Sequence, residues 1–165
     1  MSAVTASCPE AGKREIGRVP RVLIVDDDQV QLDILVRAAR LAGCEAVSAS
    51  SCGDASRLVA SSAFDCVLLD LELADGDGID VCRTMADTKY SGRVIIVSGT
   101  KPTRRSAARA TAKFLGIATQ SLPKPVDLAS LRVCLANLGK GLSDLPALHA
   151  WGGAAMEQTL EGFRA

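Results

Sequence analysis

Aromatic residues are scarce in this chain of 165 residues: phenylalanine, tyrosine and tryptophan together make up 3%. So thin a supply cannot build a stacking platform for single-stranded nucleic acid. Histidine is nearly missing, with His149 alone, and none of the six cysteines forms a Cys-x-x-Cys pair. A zinc site of ordinary ligand spacing is therefore not expected. No sign of charge dominates either: Lys and Arg number 19, and Asp and Glu number 19. That balance disfavours a general binder of nucleic acid or anionic membrane. No apolar run approaches the ~20 residues that a bilayer-spanning helix requires. Residues 1–20 lack the central apolar block of a signal peptide and read as a flexible leader. These absences lead to the expectation of a cytoplasmic protein whose cysteines are reduced and largely buried.

What is present is a 48% hydrophobic and 23% charged composition, enough for one domain with a substantial core. Val22 to Val25 is a short continuous apolar run that ends in Asp26-Asp27-Asp28. Continuous rather than alternating hydrophobicity predicts a strand buried on both faces, as in a parallel sheet. A helical pattern follows over Gln29–Ala42, closed by Gly43. The alternation then repeats. Strands are predicted over Glu45–Ala49, Phe64–Leu69, Val94–Val97 and Ile117–Leu122. Helices are predicted over Cys52–Ser61, Ile79–Ala86, Pro102–Leu115 and Val126–Leu138. Five strand–helix pairs in strict alternation predict an α/β doubly wound, five-stranded parallel sheet. Right-handed crossovers bring every strand's carboxyl end to one edge, where such sheets bind ligands.

The polar residues expected at that edge are Asp26 and Asp27, Asp70, Ser98 and Lys124. Like charges about 4 Å apart repel by roughly 4 kcal/mol at an effective dielectric of 20. Three acids converging there call for a cation, and oxygen-only ligands with room for water favour Mg²⁺. Asp28, and Asp75 or Asp77, are expected instead to cap helices or shape turns.

The runs ending in Asp26-Asp27-Asp28 and in Asp70, then Asp77-Gly78-Ile79, Val-Ile-Ile-Val-Ser98-Gly99 and Leu-Pro-Lys124-Pro125, occur in this order at characteristic spacings. In these pieces the chain, from Arg21 to Leu138, resembles the receiver domain of bacterial two-component response regulators. The resemblance implies a flavodoxin-like (βα)5 fold with strand order 2-1-3-4-5. It implies that Asp70 accepts a phosphoryl group from a sensor histidine kinase or histidine phosphotransferase. Asp27 and Asp70 would bind Mg²⁺ directly, Asp26 through water, and the backbone carbonyl of Glu72 would add a ligand. Lys124 and Ser98 would hold phosphoryl oxygens. The output would be binding of a downstream protein target or onward phosphorelay, with no direct DNA binding and no catalysis beyond its own phosphotransfer and dephosphorylation. Two alternatives remain at this stage: a receiver-like module that works without phosphorylation, and a Mg²⁺-dependent aspartyl-phosphate phosphohydrolase. The latter needs a second aspartate two residues after the nucleophile, where this chain has Glu72.

Some positions depart from the receiver pattern. Ser121 stands where receivers usually carry an aromatic residue that moves with the Ser/Thr, and a small polar residue cannot act as that rotamer switch. Ala74 stands where a proline is usual. Glu72 is expected to border the phosphoryl site and to tune the lifetime of the phosphorylated state. The predicted helix over Pro102–Leu115 carries Arg104, Arg105, Arg109 and Lys113, preceded by Lys101; this reads as a solvated or partner-docking face. Residues 139–165 read as a tail in which Leu142, Leu145, Leu148 and Trp151 recur every third position. Asp144 and Pro146 suit a helix start, and Gly152-Gly153 an end. That tail is expected either to pack on the domain or to contact a partner.

Overall fold

Each continuous apolar run becomes a strand whose side chains alternate between two buried layers. The computed structural model describes residues 18–99 and 101–138. In chain order its elements are β1 (Arg21–Val25), α1 (Gln29–Leu41), β2 (Glu45–Ala49), α2 (Cys52–Ser61), β3 (Cys66–Leu69), β4 (Glu72–Leu73) and β5 (Gly76–Asp77). Then follow α3 (Gly78–Asp87), β6 (Arg93–Ser98), α4 (Pro102–Phe114), β7 (Thr119–Pro123) and α5 (Leu128–Ala136). The main sheet has five parallel strands in the order β2-β1-β3-β6-β7. Without the small β4–β5 hairpin, this is the expected 2-1-3-4-5. The expected leader up to residue 17, with Cys8, and the tail from residue 139 lie outside the described residues, as does Thr100.

The two layers are read directly off the strands. Leu23, Val25, Val67, Leu69, Val94 and Ile96 face α2, α3 and α4, and pack on Ala55, Val59, Val81, Met85 and Ala112. Their neighbours Val22, Ile24, Cys66, Leu68, Ile95 and Val97 face α1 and α5, and pack on Leu32, Leu35, Ala39, Leu131 and Leu135. Both faces are covered, which is why these strands are continuously apolar in sequence. Asp28 caps α1 by accepting from the N–H groups of Val30 and Gln31, and Asp77 caps α3 by accepting from that of Ile79. Asp75 caps at a distance: its carboxylate accepts from the N–H groups of Cys52 and Gly53 at the start of α2.

Two strands begin later than their apolar runs. The expected third strand starts at Cys66, and Asp65 just before it accepts the N–H of Arg21 on its carboxylate at 2.7 Å. The expected fifth starts at Thr119 because Ile117 still belongs to the end of α4. Its N–H donates to the Ala112 carbonyl across Gly116, whose φ is +78°, a left-handed helix stop. Of the described cysteines, Cys44, Cys66, Cys82 and Cys134 are buried and Cys52 is half-buried, all as free thiols. Burial pushes the thiols of Cys52 and Cys82 up to about 11, so they are inert rather than nucleophilic at neutral pH. Among the described residues, no helix is long and apolar enough to cross a membrane.

Candidate functional site

The site grows from the carboxyl ends of β1 and β3, adjacent in the middle of the sheet. Asp26 directly follows β1, and its N–H donates to the carbonyl of Ala49 on β2 at 3.2 Å. Asp70 directly follows β3, and its N–H donates to the carbonyl of Val25 at 2.9 Å. Sheet-type bonds therefore hold both acids at their Cα positions. Each side chain is oriented again by a backbone donor: Asp26 Oδ1 accepts from the N–H of Asp28 at 2.9 Å, and Asp70 Oδ1 from the N–H of Glu72 at 3.1 Å. Both aspartates are buried, with exposures of 1% and 5%, while Asp27 is exposed. Asp26, Asp27 and Asp70 each bring a carboxylate oxygen within 4.8 Å of the others.

Lys124 reaches this group from the turn after β7. Its Nζ donates to Asp26 Oδ2 at 2.6 Å and to Asp70 Oδ2 at 2.7 Å. Burial works against its charge, but the hydrogen bonds to Asp26 and Asp70, and their charges, outweigh it and hold the ammonium above its usual range. Three carboxylates against one ammonium leave a formal charge of −2 in a half-sheltered pocket. That excess, carried on oxygen donors alone, fits a hard divalent cation such as Mg²⁺.

Ser98, fully buried, ends β6 beside the cluster. Its carbonyl accepts from the N–H of Lys124 at 3.2 Å and from Nη1 of Arg105 on α4 at 3.3 Å. The segment after β6 is thus tied both to the lysine and to α4. Ser121 on β7 is half-buried and pairs in register with Ile96. The Lys124–Pro125 peptide is cis.

The loop after Asp70 is better ordered than its acid- and glycine-rich sequence suggests. Glu72 and Leu73 pair antiparallel with Asp77 and Gly76. Gly78 then passes so close to the acceptor strand that a Cβ there would lie 2.3 Å from the Asp70 carbonyl oxygen. No real Cβ tolerates that approach, so glycine is required by contact rather than by backbone angle. The side chain of Glu72 is turned to Arg104 of α4, 3.8 Å away, and the same guanidinium donates to Asp77 at 3.0 Å.

Asp26, Asp27, Asp70 and Lys124 form one cluster; Ser98 adjoins it through backbone, and Glu72 through its N–H. The basic residues of α4 do not form one uniform solvated face, because Arg104 and Arg105 turn back toward the site. Sequence reasoning missed that role. Arg104 lies 27 residues beyond Asp77, a separation outside any local periodicity.

Residues 22–136 match the response regulator receiver domain family. The photosynthetic apparatus regulatory protein RegA of Rhodovulum sulfidophilum is 30% identical over 132 residues, which cover 80% of this chain and 70% of that protein. Response regulator MprA of Mycolicibacterium vanbaalenii is 31% identical over 111 residues, 67% of this chain and 46% of that protein. Among solved structures, a CheY-like receiver domain from Methanospirillum hungatei superposes with a TM-score of 0.65 at 24% identity, covering 74% of this chain and 98% of that one. A response regulator from Burkholderia pseudomallei, solved with a phosphorylated aspartic acid, a calcium ion and citrate, gives 0.61 at 22% identity, covering 73% and 69%. The family match, the sheet order and the acidic cluster at the strand ends agree: this chain belongs to the response regulator receiver domain family.

Proposed function

We propose that this chain is a phosphoacceptor receiver in which Asp70 takes a phosphoryl group from a phosphohistidine and the phosphorylated state controls protein–protein binding or onward phosphorelay. The observation that carries this reading is the charge imbalance: two buried aspartates share a single lysine, and a third, exposed aspartate brings its carboxylate within 4.8 Å of theirs. An arrangement built only for stability would not crowd like charges at this edge. The phosphorylated aspartate and calcium ion of the Burkholderia protein support the same use of the fold.

Asp26, Asp27, Asp70 and the backbone carbonyl of Glu72 would hold Mg²⁺, which when bound supplies positive charge against the phosphoryl oxygens. The chain's own residues do the rest. An Asp70 carboxylate oxygen forms the new bond to phosphorus while the phosphohistidine P–N bond breaks and its electron pair returns to the imidazole. Lys124 exchanges its bond to Asp70 for a phosphoryl oxygen, and the Ser98 hydroxyl donates to another. A phosphoryl group adds nearly two negative charges, enough to draw Ser98 and Lys124 inward. With Ser121 in place of an aromatic switch, the displacement passes through backbone. The Ser98 carbonyl is bonded to Arg105, so moving this segment pulls on α4. Glu72 and Arg104 border the phosphoryl site and tune the lifetime of the phosphorylated state.

Intact-mass analysis after incubation with acetyl phosphate and Mg²⁺, followed by a phosphorylated histidine kinase as donor, tests the reading. A phosphoryl adduct on the wild type, absent in Asp70→Asn, is expected. A folded wild type that takes no adduct from either donor would overturn it.

A further inference from the structure

The hairpin after the acceptor is built against its own charges. Glu72 and Asp77 are direct partners across β4 and β5, and like charges placed opposite one another destabilise a strand pair. The strands are two residues each, and of their side chains only Leu73 joins the core. Little apolar burial is available to offset the repulsion. Yet this hairpin orients the acceptor. The N–H of Glu72 donates to Asp70 Oδ1 at 3.1 Å, and at the hairpin's base the N–H of Gly78 donates to the carbonyl of Leu71 at 3.0 Å.

A side chain of α4 answers the repulsion. The guanidinium of Arg104 spans both acids: Nη2 donates to Asp77 Oδ2 at 3.0 Å, and Nη1 lies 3.8 Å from Glu72 Oε1. Asp77 can serve two partners because its other oxygen, Oδ1, accepts from the N–H of Ile79. Asp75 fastens the turn of the hairpin to α2, whereas Arg104 fastens the end that carries Glu72. We propose, on the phosphoacceptor reading of Asp70, that Arg104 is a positioning residue: by neutralising the Glu72–Asp77 pair it keeps the hairpin closed, and so keeps the N–H of Glu72 on the Asp70 carboxylate. Glu72 and Arg104 are exposed, and an ion pair so placed adds little to global stability. Its effect is local, because a segment with few buried contacts opens at a fraction of the free energy of global unfolding.

The experiment compares amide hydrogen exchange by NMR and phosphorylation by acetyl phosphate with Mg²⁺, on the full chain and its variants. Arg104→Ala leaves the two carboxylates facing each other without their cation. Exchange at the Glu72 and Gly78 amides should rise about fivefold while the urea midpoint stays at the wild-type value. The rate of phosphorylation should fall about fivefold as the acceptor loses its orientation. Asp77→Asn keeps the cap on α3, since asparagine caps as well as aspartate, and removes one of the two charges. Combined with Arg104→Ala, it should restore most of the slow exchange and most of the phosphorylation rate, a recovery that mere loss of packing would not allow. Arg109→Ala, an exposed arginine of the same helix, should leave both readouts unchanged. Three results would each overturn the proposal. One is wild-type exchange in Arg104→Ala. Another is fast exchange that Asp77→Asn does not slow, because the arginine would then act otherwise than by neutralising this pair. The third is wild-type phosphorylation of an Arg104→Ala protein whose hairpin amides exchange fast. A wild type that takes no phosphoryl group overturns the phosphoacceptor reading itself, while the exchange rates still decide whether Arg104 keeps Glu72 on Asp70.

Discussion

The two ends of the sheet carry similar residues and use them oppositely. At the amino edge Asp65 and Glu45 each have a cation. Asp65 takes Arg18 at 2.6 Å and the N–H of Arg21 at 2.7 Å, and Glu45 takes the Arg21 side chain at 3.0 Å. Arg21 also lies over the Phe64 ring, 5.1 Å from its centroid. Charge there is matched, and its work is to fasten the start of β1 to β2 and β3. At the carboxyl edge Asp26 and Asp70 share Lys124, and Asp27 adds a third carboxylate beside them. Charge there is left over. The contrast teaches how to separate structural from functional acids on one scaffold: a structural acid arrives with its partner, and a functional one waits for a ligand.

Substitutions at the two edges can break or sharpen this comparison. The largest effect is expected from Lys124→Met. It leaves two buried carboxylates uncompensated, which costs about 3 kcal/mol by the measure of a broken buried pair. Urea denaturation should show that loss without divalent ions, and millimolar Mg²⁺ should restore part of it. Next is Gly78→Ala. The added Cβ forces the Asp70 carbonyl or the α3 terminus to move, at about 1–3 kcal/mol for overpacking. Because the displaced group is the acceptor's own backbone, the rate of phosphorylation by acetyl phosphate should fall together with stability. Asp65→Asn should cost about 1–2 kcal/mol, since it weakens a charge-assisted bond to backbone. Phosphorylation should continue at the wild-type rate. Glu45→Ala removes an exposed pair and should change stability by less than about 0.5 kcal/mol.

Much of this was legible from residues alone because burial on both faces leaves a plain signature. Val22–Val25 and Val94–Val97 have no polar residue to alternate with, and the aspartates or serine that follow mark where each strand leaves the core. The rest was hidden for physical reasons. Strands β4 and β5 are two residues each, too short for any period, and only Leu73 of them reaches the core. Ile117 reads as strand by its side chain, but its N–H is claimed by the end of α4. Arg104 looks solvated in a basic helix until tertiary structure brings Glu72 and Asp77 beside it. Asp75 was expected to cap or turn locally and does cap, but it caps a helix that precedes it in the chain.

The most direct test of the leftover-charge claim sets Asp27→Asn against Asp65→Asn in unfolding experiments with and without Mg²⁺. At the carboxyl edge, removing one of three like charges should stabilise the ion-free protein, by about 1 kcal/mol for charges near 4 Å, and should remove most of the stabilisation that Mg²⁺ confers on the wild type. At the amino edge, the same chemical change should destabilise the protein and leave the Mg²⁺ effect intact. If both substitutions destabilise alike and Mg²⁺ stabilises Asp27→Asn as it does the wild type, the acids at the carboxyl edge are not held in reserve for a ligand, and the account of this site is wrong.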